Sequence, residues 1–192
     1  GTLNLTGPSG LTVGAGGPLG SLVTVGNGQT LDVDNTTTIQ SGSKITAVGD
    51  FSSDLLQIDS GGQFDAPSGY TNNDEIQLSG VNARITGSTL TNNGFISGQG
   101  RINASLTNNG HVNLSNGTLR FGSQVTNNTS GFISGEGTSV IRFEGGLDNS
   151  GSLILTFSTS TVFGNIVNNP TGLVSLAGNS TASFIGDVSN NG

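Results

Sequence analysis

The chain has 192 residues and a net charge of −7, yet only 9% of its residues are charged, against about 25% in ordinary soluble domains. Its cations are Lys44, Arg84, Arg101, Arg120 and Arg142, too few to track a phosphate backbone, so the composition argues against nucleic acid as a partner. The absence of Cys removes disulfides, thiol catalysis and thiolate metal sites, and no apolar run approaches the roughly twenty residues of a membrane span.

Residues 1–69 show apolar alternation at Leu3/Leu5, Leu11/Val13, Leu31/Val33 and Leu56/Ile58. That period predicts short strands with alternate residues inside. The segment carries no further periodic marker, and three or four irregular coils, or a separate β domain, are the alternatives for it.

From residue 70 onward an asparagine pair keeps returning: Asn72-Asn73, Asn92-Asn93, Asn108-Asn109, Asn127-Asn128, Asn168-Asn169 and Asn190-Asn191, with Asn149-Ser150 as a degenerate copy. The first-Asn intervals are 20, 16, 19, 22, 19 and 22 residues. Self-similarity at this period marks one structural unit stacked on itself. Two residues before each first Asn stand Tyr70, Leu90, Leu106, Val125, Leu147, Ile166 and Val188, all apolar. Six residues before it stand Thr86, Ile102, Phe121, Phe143, Val162 and Phe184, with the small residues Ser88, Ala104, Ser123, Gly145, Gly164 and Gly186 between the two sets. A further strand after the pair is marked by Ile76, Ile96, Val112 and Leu153. Ile133 and Val174 reach the same slot if Thr129-Ser130 and Pro170-Thr171 are looped out of the two 22-residue coils.

Gly, Asn and β-branched residues are poor helix formers, and no 3.6-residue period is sustained. The predicted fold is therefore all-β: a right-handed parallel β-helix (β-solenoid) with coils of about 20 residues, less regular over 1–69 and regular over 70–192, in one continuous rod. The hand follows from the bias of parallel crossover connections. Nine or ten coils at about 4.8 Å each would span roughly 45 Å. Asn72, Asn92, Asn108, Asn127, Asn149, Asn168 and Asn190 are expected to form a structural ladder at one turn, each amide bonding to those in the coils above and below. Tolerance of the left-handed backbone conformation is a further reason for Asn at a turn. Tyr70, Leu90, Leu106, Val125, Leu147, Ile166 and Val188 form the expected core column.

Stretches such as LTNNGHVNLSNGTLRF and VTNNTSGFISGEGTSVIRF resemble the repeats of secreted bacterial β-helix proteins. These include autotransporter passenger domains, filamentous-haemagglutinin-like adhesins and large repetitive surface proteins. The resemblance covers residues 70–192 well and residues 1–69 weakly. It implies an exported, extracellular stalk or adhesive scaffold at the cell surface, and it is more specific for architecture than for function.

Candidate chemistry is sparse. Polysaccharide lyases and hydrolases need clustered carboxylates, usually with a basic residue, in a walled groove. The best acid-rich stretch is Asp50, Asp54, Asp59, Asp65, Asp74 and Glu75, which reads equally as a solvated acidic face. Asp54, Asp59 and Asp65 are its candidate Ca²⁺ ligands, for an ion that takes about six to eight oxygens. No other cofactor is implied. His111 is a lone histidine beside a turn, and SGQG at Ser97–Gly100 and SGEG at Ser134–Gly137 read as turn glycines rather than phosphate loops. Thr36–Thr38 and the Thr156–Thr161 region are threonine clusters without a ladder, so an ice-binding face is not expected.

The functional expectation is a non-enzymatic structural protein, with a polysaccharide-binding or polysaccharide-cleaving β-helix domain as the alternative. The chain begins at Gly1 and lacks Met, which suggests a processed or excised piece. Its tail and head read VSNNG–GTLNLTG, close to the internal LTNNG–HVNLSNG of Leu106–Gly117. That match predicts rods joined end to end in an extracellular fibre, although a stalk segment cut at a repeat boundary would show it too. Expected partners are other copies of the chain, axially and laterally, and surface glycans, with neither nucleic acid nor membrane insertion.

Overall fold

The computed structural model describes residues 1–192 as 24 β-strands without a helix. Every strand pairing is parallel, so the chain winds as a β-solenoid from Thr2 to Asn190. Each coil makes three straight runs, exemplified by Ser105–Asn108 on the first face, His111–Leu114 on the second and Gly117–Phe121 on the third. Some strands turn a corner without a break: Glu75–Gly87 and Phe95–Ile102 each supply both the second and the third face.

Alternation of inward and outward side chains builds the core. On the first face the column Tyr70, Leu90, Leu106, Val125, Leu147, Ile166 and Val188 stacks in register, as the spacing predicts. On the second face Leu11, Thr37, Leu56, Ile76, Ile96, Val112, Ile133, Leu153 and Val174 form one column of nine residues. Ile133 and Val174 keep their places because Thr129-Ser130 and Pro170-Thr171 bulge at the corner. The eight steps of that column, at about 4.8 Å, span roughly 38 Å, somewhat less than the sequence estimate. These columns and the other inward side chains of the three faces merge into one apolar cluster of 35 buried residues, in which each Leu, Ile or Phe contributes about 1.5–3 kcal/mol.

Three details depart from expectation. The third-face column contains Ile85, not Thr86, in register with Phe64 and Ile102. Gly87, at φ +127°, inserts an extra residue before the next strand and shifts the count by one. None of the ladder asparagines has positive φ; Phe157 is the sole non-glycine residue that does. The left-handed rationale for Asn therefore fails, and its amide must be the reason it is there. Finally, Thr2–Leu5 pairs with Thr30–Val33 on the first face. Leu106–Asn108 is itself a first-face run followed by the second-face run His111–Leu114, so the tail-to-head sequence match places Thr2–Leu5 on the wrong face.

One core residue is mismatched. Thr37 sits between Leu11 and Leu56 with no exposed surface, and its hydroxyl has no hydrogen-bond partner. A buried hydroxyl without a partner costs about 1–3 kcal/mol. Thr37→Val keeps the shape and should raise stability by about 1 kcal/mol or more, measured as a higher urea midpoint with an unchanged slope.

Candidate functional site: an asparagine ladder and a row of cations

At the corner between the first and second faces, the first Asn of every pair turns inward. Asn72, Asn92, Asn108, Asn127 and Asn149 are at most 1% exposed. Each Nδ2 donates to Oδ1 of the Asn one coil on, at 2.7 Å for Asn72 to Asn92, 2.8 Å at the next four steps and 2.9 Å for Asn168 to Asn190. The same nitrogen reaches carbonyls on either side. In Asn92 these are Gly94 at 3.3 Å and His111 in the next coil at 3.1 Å. Carbonyl oxygens only accept, so they fix which end of the amide faces them and give the ladder one polarity. In the longer coils the turn carbonyl comes from Gly131 or Gly172, four residues on instead of two.

The second Asn of each pair builds an outer ladder of opposite polarity. Asn93 donates to Asn73, Asn109 to Asn93 and Asn128 to Asn109, at 2.9, 2.9 and 2.6 Å. Ser150 fills the degenerate position and accepts from Asn169 at 2.8 Å. Before residue 70, Leu5, Val33 and Ser53 stand in register with one another at the end of the corresponding run. Ser53 does part of the work of an Asn: its hydroxyl donates toward the carbonyls of Asn35 and Leu55 at 2.7 and 3.0 Å.

Where the ladder begins, Phe51, Phe64 and Tyr70 pack with ring centroids 4.9–5.9 Å apart. Burial, and then the charge of Asp74, push the Tyr70 hydroxyl far above its ordinary pKa.

The acid-rich stretch does not assemble. Asp54 is exposed at the corner after the first face, Asp59 ends a second-face run and accepts from Gln57 at 3.0 Å, and Asp65 lies on the third face. No three acidic or imidazole groups converge anywhere, so Asp54, Asp59 and Asp65 do not form a common cation site. Asp65 instead meets Lys44 at 2.8 Å and accepts from Thr86 at 2.7 Å. The Lys44 bond holds its carboxyl below the usual range, against the opposing effect of burial and with help from the Thr86 hydroxyl. That contribution is present above the unfolded pKa and is lost as pH falls through the folded one. His111 is exposed, between Phe95 and Phe132 in an outward column, with ring centroids 6.4 and 5.6 Å away.

Two outward columns escaped the sequence reading. Thr71, Thr91, Thr107 and Thr126 stack in register on the first face. This ladder lies outside the clusters at Thr36–Thr38 and Thr156–Thr161, and it stops at Asp148. More consequential is the third face, where Lys44, Gln63, Arg84, Arg101, Arg120 and Arg142 occupy one outward column. It holds all five cations of the chain. They are scarce, as the composition says, but they are not dispersed. The signal was available: Arg101, Arg120 and Arg142 are 19 and 22 residues apart, the same intervals as Asn108, Asn127 and Asn149.

Glu144 carries the only carboxylate within reach of the arginines, bonding Arg101 at 3.0 Å and Arg120 through Nε at 2.8 Å. Arg84 and Arg142 have no acidic partner. Beside the row, Val81 and Asn82 stand proud while Gly80 and Ala83 stay buried, because only Gly100 opposes these four residues in the shorter coil that follows. This ridge creates two clefts of about 260 and 400 Å³ that share Val81, Asn82 and Arg120. Compared with known proteins, the chain matches no family model, no curated protein and no solved structure.

Proposed function

We propose that the chain is a non-enzymatic structural segment of a secreted bacterial surface rod, extended by coil-on-coil stacking beyond these 192 residues. The observation that carries this reading is the state of the two ends. Leu3 and Leu22 are 46% and 76% exposed at one end, and Leu176, Phe184 and Val188 are 46%, 39% and 56% exposed at the other. All but Leu22 belong to inward columns that are buried along the middle of the rod. Exposed apolar patches bounded by unpaired strand edges are templates for further strands. The ends also correspond face for face: Leu3 would meet Val188 on the first face, and Val23 would meet Phe184 on the third.

A second copy would extend the rod as a fibre, and further coils of the same polypeptide would extend it as a stalk. A charge-poor surface of Ser, Thr, Asn and Gly suits close packing at either kind of joint. The lack of Cys and Met leaves no sulfur to oxidise, which favours an exterior location. Sedimentation velocity and electron microscopy at rising concentration test self-stacking. Rods in multiples of one unit length are expected, reverting to single units with Leu3→Lys or Val188→Lys. Single-length rods at all concentrations would exclude the fibre and leave the stalk.

A further inference from the structure

We propose that the arginine row on the third face is a binding site for a linear anionic glycan lying along the rod axis. The site is on the side of the rod and stands whether or not the ends stack.

The first support is placement. A chain carrying a net −7 puts all five of its cations in one outward column, from Lys44 to Arg142. Cross-strand neighbours of like charge repel when they are directly opposite, so Arg84, Arg101, Arg120 and Arg142 in consecutive coils work against folding. Glu144 relieves only the central pair. The fold gains nothing from Arg84 and Arg142 that a neutral polar residue would not supply.

The second support is shape. The Val81-Asn82 ridge turns this part of the face concave, with Arg84, Arg101 and Arg120 along one cleft and Arg120 and Arg142 along the other. Asn82, Asn103 and Thr118 add amide and hydroxyl groups suited to sugar hydroxyls, and Val81 and Val140 offer apolar contact.

Spacing and composition choose the ligand. Successive arginines are one coil apart, about 4.8 Å, comparable to the advance per sugar in an extended polysaccharide. A glycan bearing a carboxylate or sulfate on successive units can therefore present one anion per coil, and planar guanidinium groups bind either anion in a two-point fork. Single-stranded nucleic acid fits less well, because such sites depend on aromatic platforms for base stacking and neither cleft contains an aromatic side chain.

The test is calorimetric titration of the 192-residue chain at low salt. The probes are oligogalacturonate, dextran sulfate, neutral dextran and oligothymidylate. Binding of at least one anionic glycan, none of neutral dextran and weaker binding of oligothymidylate are expected, with affinity falling as salt rises. Arg84→Gln with Arg142→Gln breaks no salt bridge and should weaken binding at least about tenfold, with a melting temperature no lower than that of the unsubstituted chain. Glu144→Gln should strengthen it severalfold by releasing Arg101 and Arg120. No binding of either anionic glycan, equal binding by the double variant, tighter binding of oligothymidylate, or a dimer that occupies this face and is lost in the double variant would overturn the proposal.

Discussion

Asn127→Leu is expected to destabilise the rod by about 3–5 kcal/mol, whereas Asn128→Ala, one residue on, should cost less than about 1 kcal/mol. The contrast follows from what each amide serves. Asn127 has no exposed surface, donates to Asn149 at 2.8 Å and toward the carbonyls of Gly131 and Ser152 at 3.3 and 3.2 Å, and accepts from Asn108 at 2.8 Å. Leucine removes all of these bonds and strands polar groups in two neighbouring coils. Asn128 makes one 2.6 Å bond to Asn109 at a corner that water reaches. Urea unfolding of both variants measures the difference. Asn127→Asp sharpens it: an ionised carboxyl there cannot donate, so burial raises its folded pKa. Its stability should be greatest below the unfolded pKa and fall as pH rises through the folded value.

Gly110→Ala should cost about 3 kcal/mol, at the upper end for overpacking a closed site. The turn glycines Gly94, Gly110, Gly131 and Gly151 stack directly, and a Cβ on Gly110 would lie 2.1 Å from the carbonyl oxygen of Gly94. The three nearest atoms are all backbone of Asn93 and Gly94, so no flexible side chain is there to yield. Positive φ is not involved, since Gly110 lies outside that region. The requirement is coil-to-coil approach: the same turn carbonyls accept from the inner asparagines and must stay within their reach. Gly192→Ala, whose nearest contact is 2.7 Å at the open end, should cost much less. Thermal unfolding of the two variants side by side measures this.

The sequence exposed the coil and one corner of it. The Asn interval located the inner ladder and the column from Tyr70 to Val188, because both sit at a fixed distance from a conspicuous pair. The third face was misread by one residue at Thr86 because the bulge at Gly87 follows no repeat. The coils before residue 70 were hard to place because Leu5, Val33 and Ser53 end the corresponding run without an Asn marker. The acids at Asp54, Asp59 and Asp65 looked clustered because they are close in the chain. In a coil of three faces, residues five or six apart turn away from each other, while residues a full coil apart become neighbours. The same rule hid the threonine ladder and the arginine row, whose members are 16–22 residues apart and stack one above another.

Hydrogen exchange at the side-chain amides, followed by NMR with ¹⁵N-labelled asparagine, tests most directly whether a buried amide ladder holds the coils together. The Nδ2 protons of Asn92, Asn108, Asn127 and Asn149 should exchange as slowly as the backbone amides of the core strands, opening only with global unfolding. Those of Asn93 and Asn109 in the exposed outer ladder should exchange far faster. Exchange of the inner set at the rate of free side-chain amides would contradict the ladder and the account built on it.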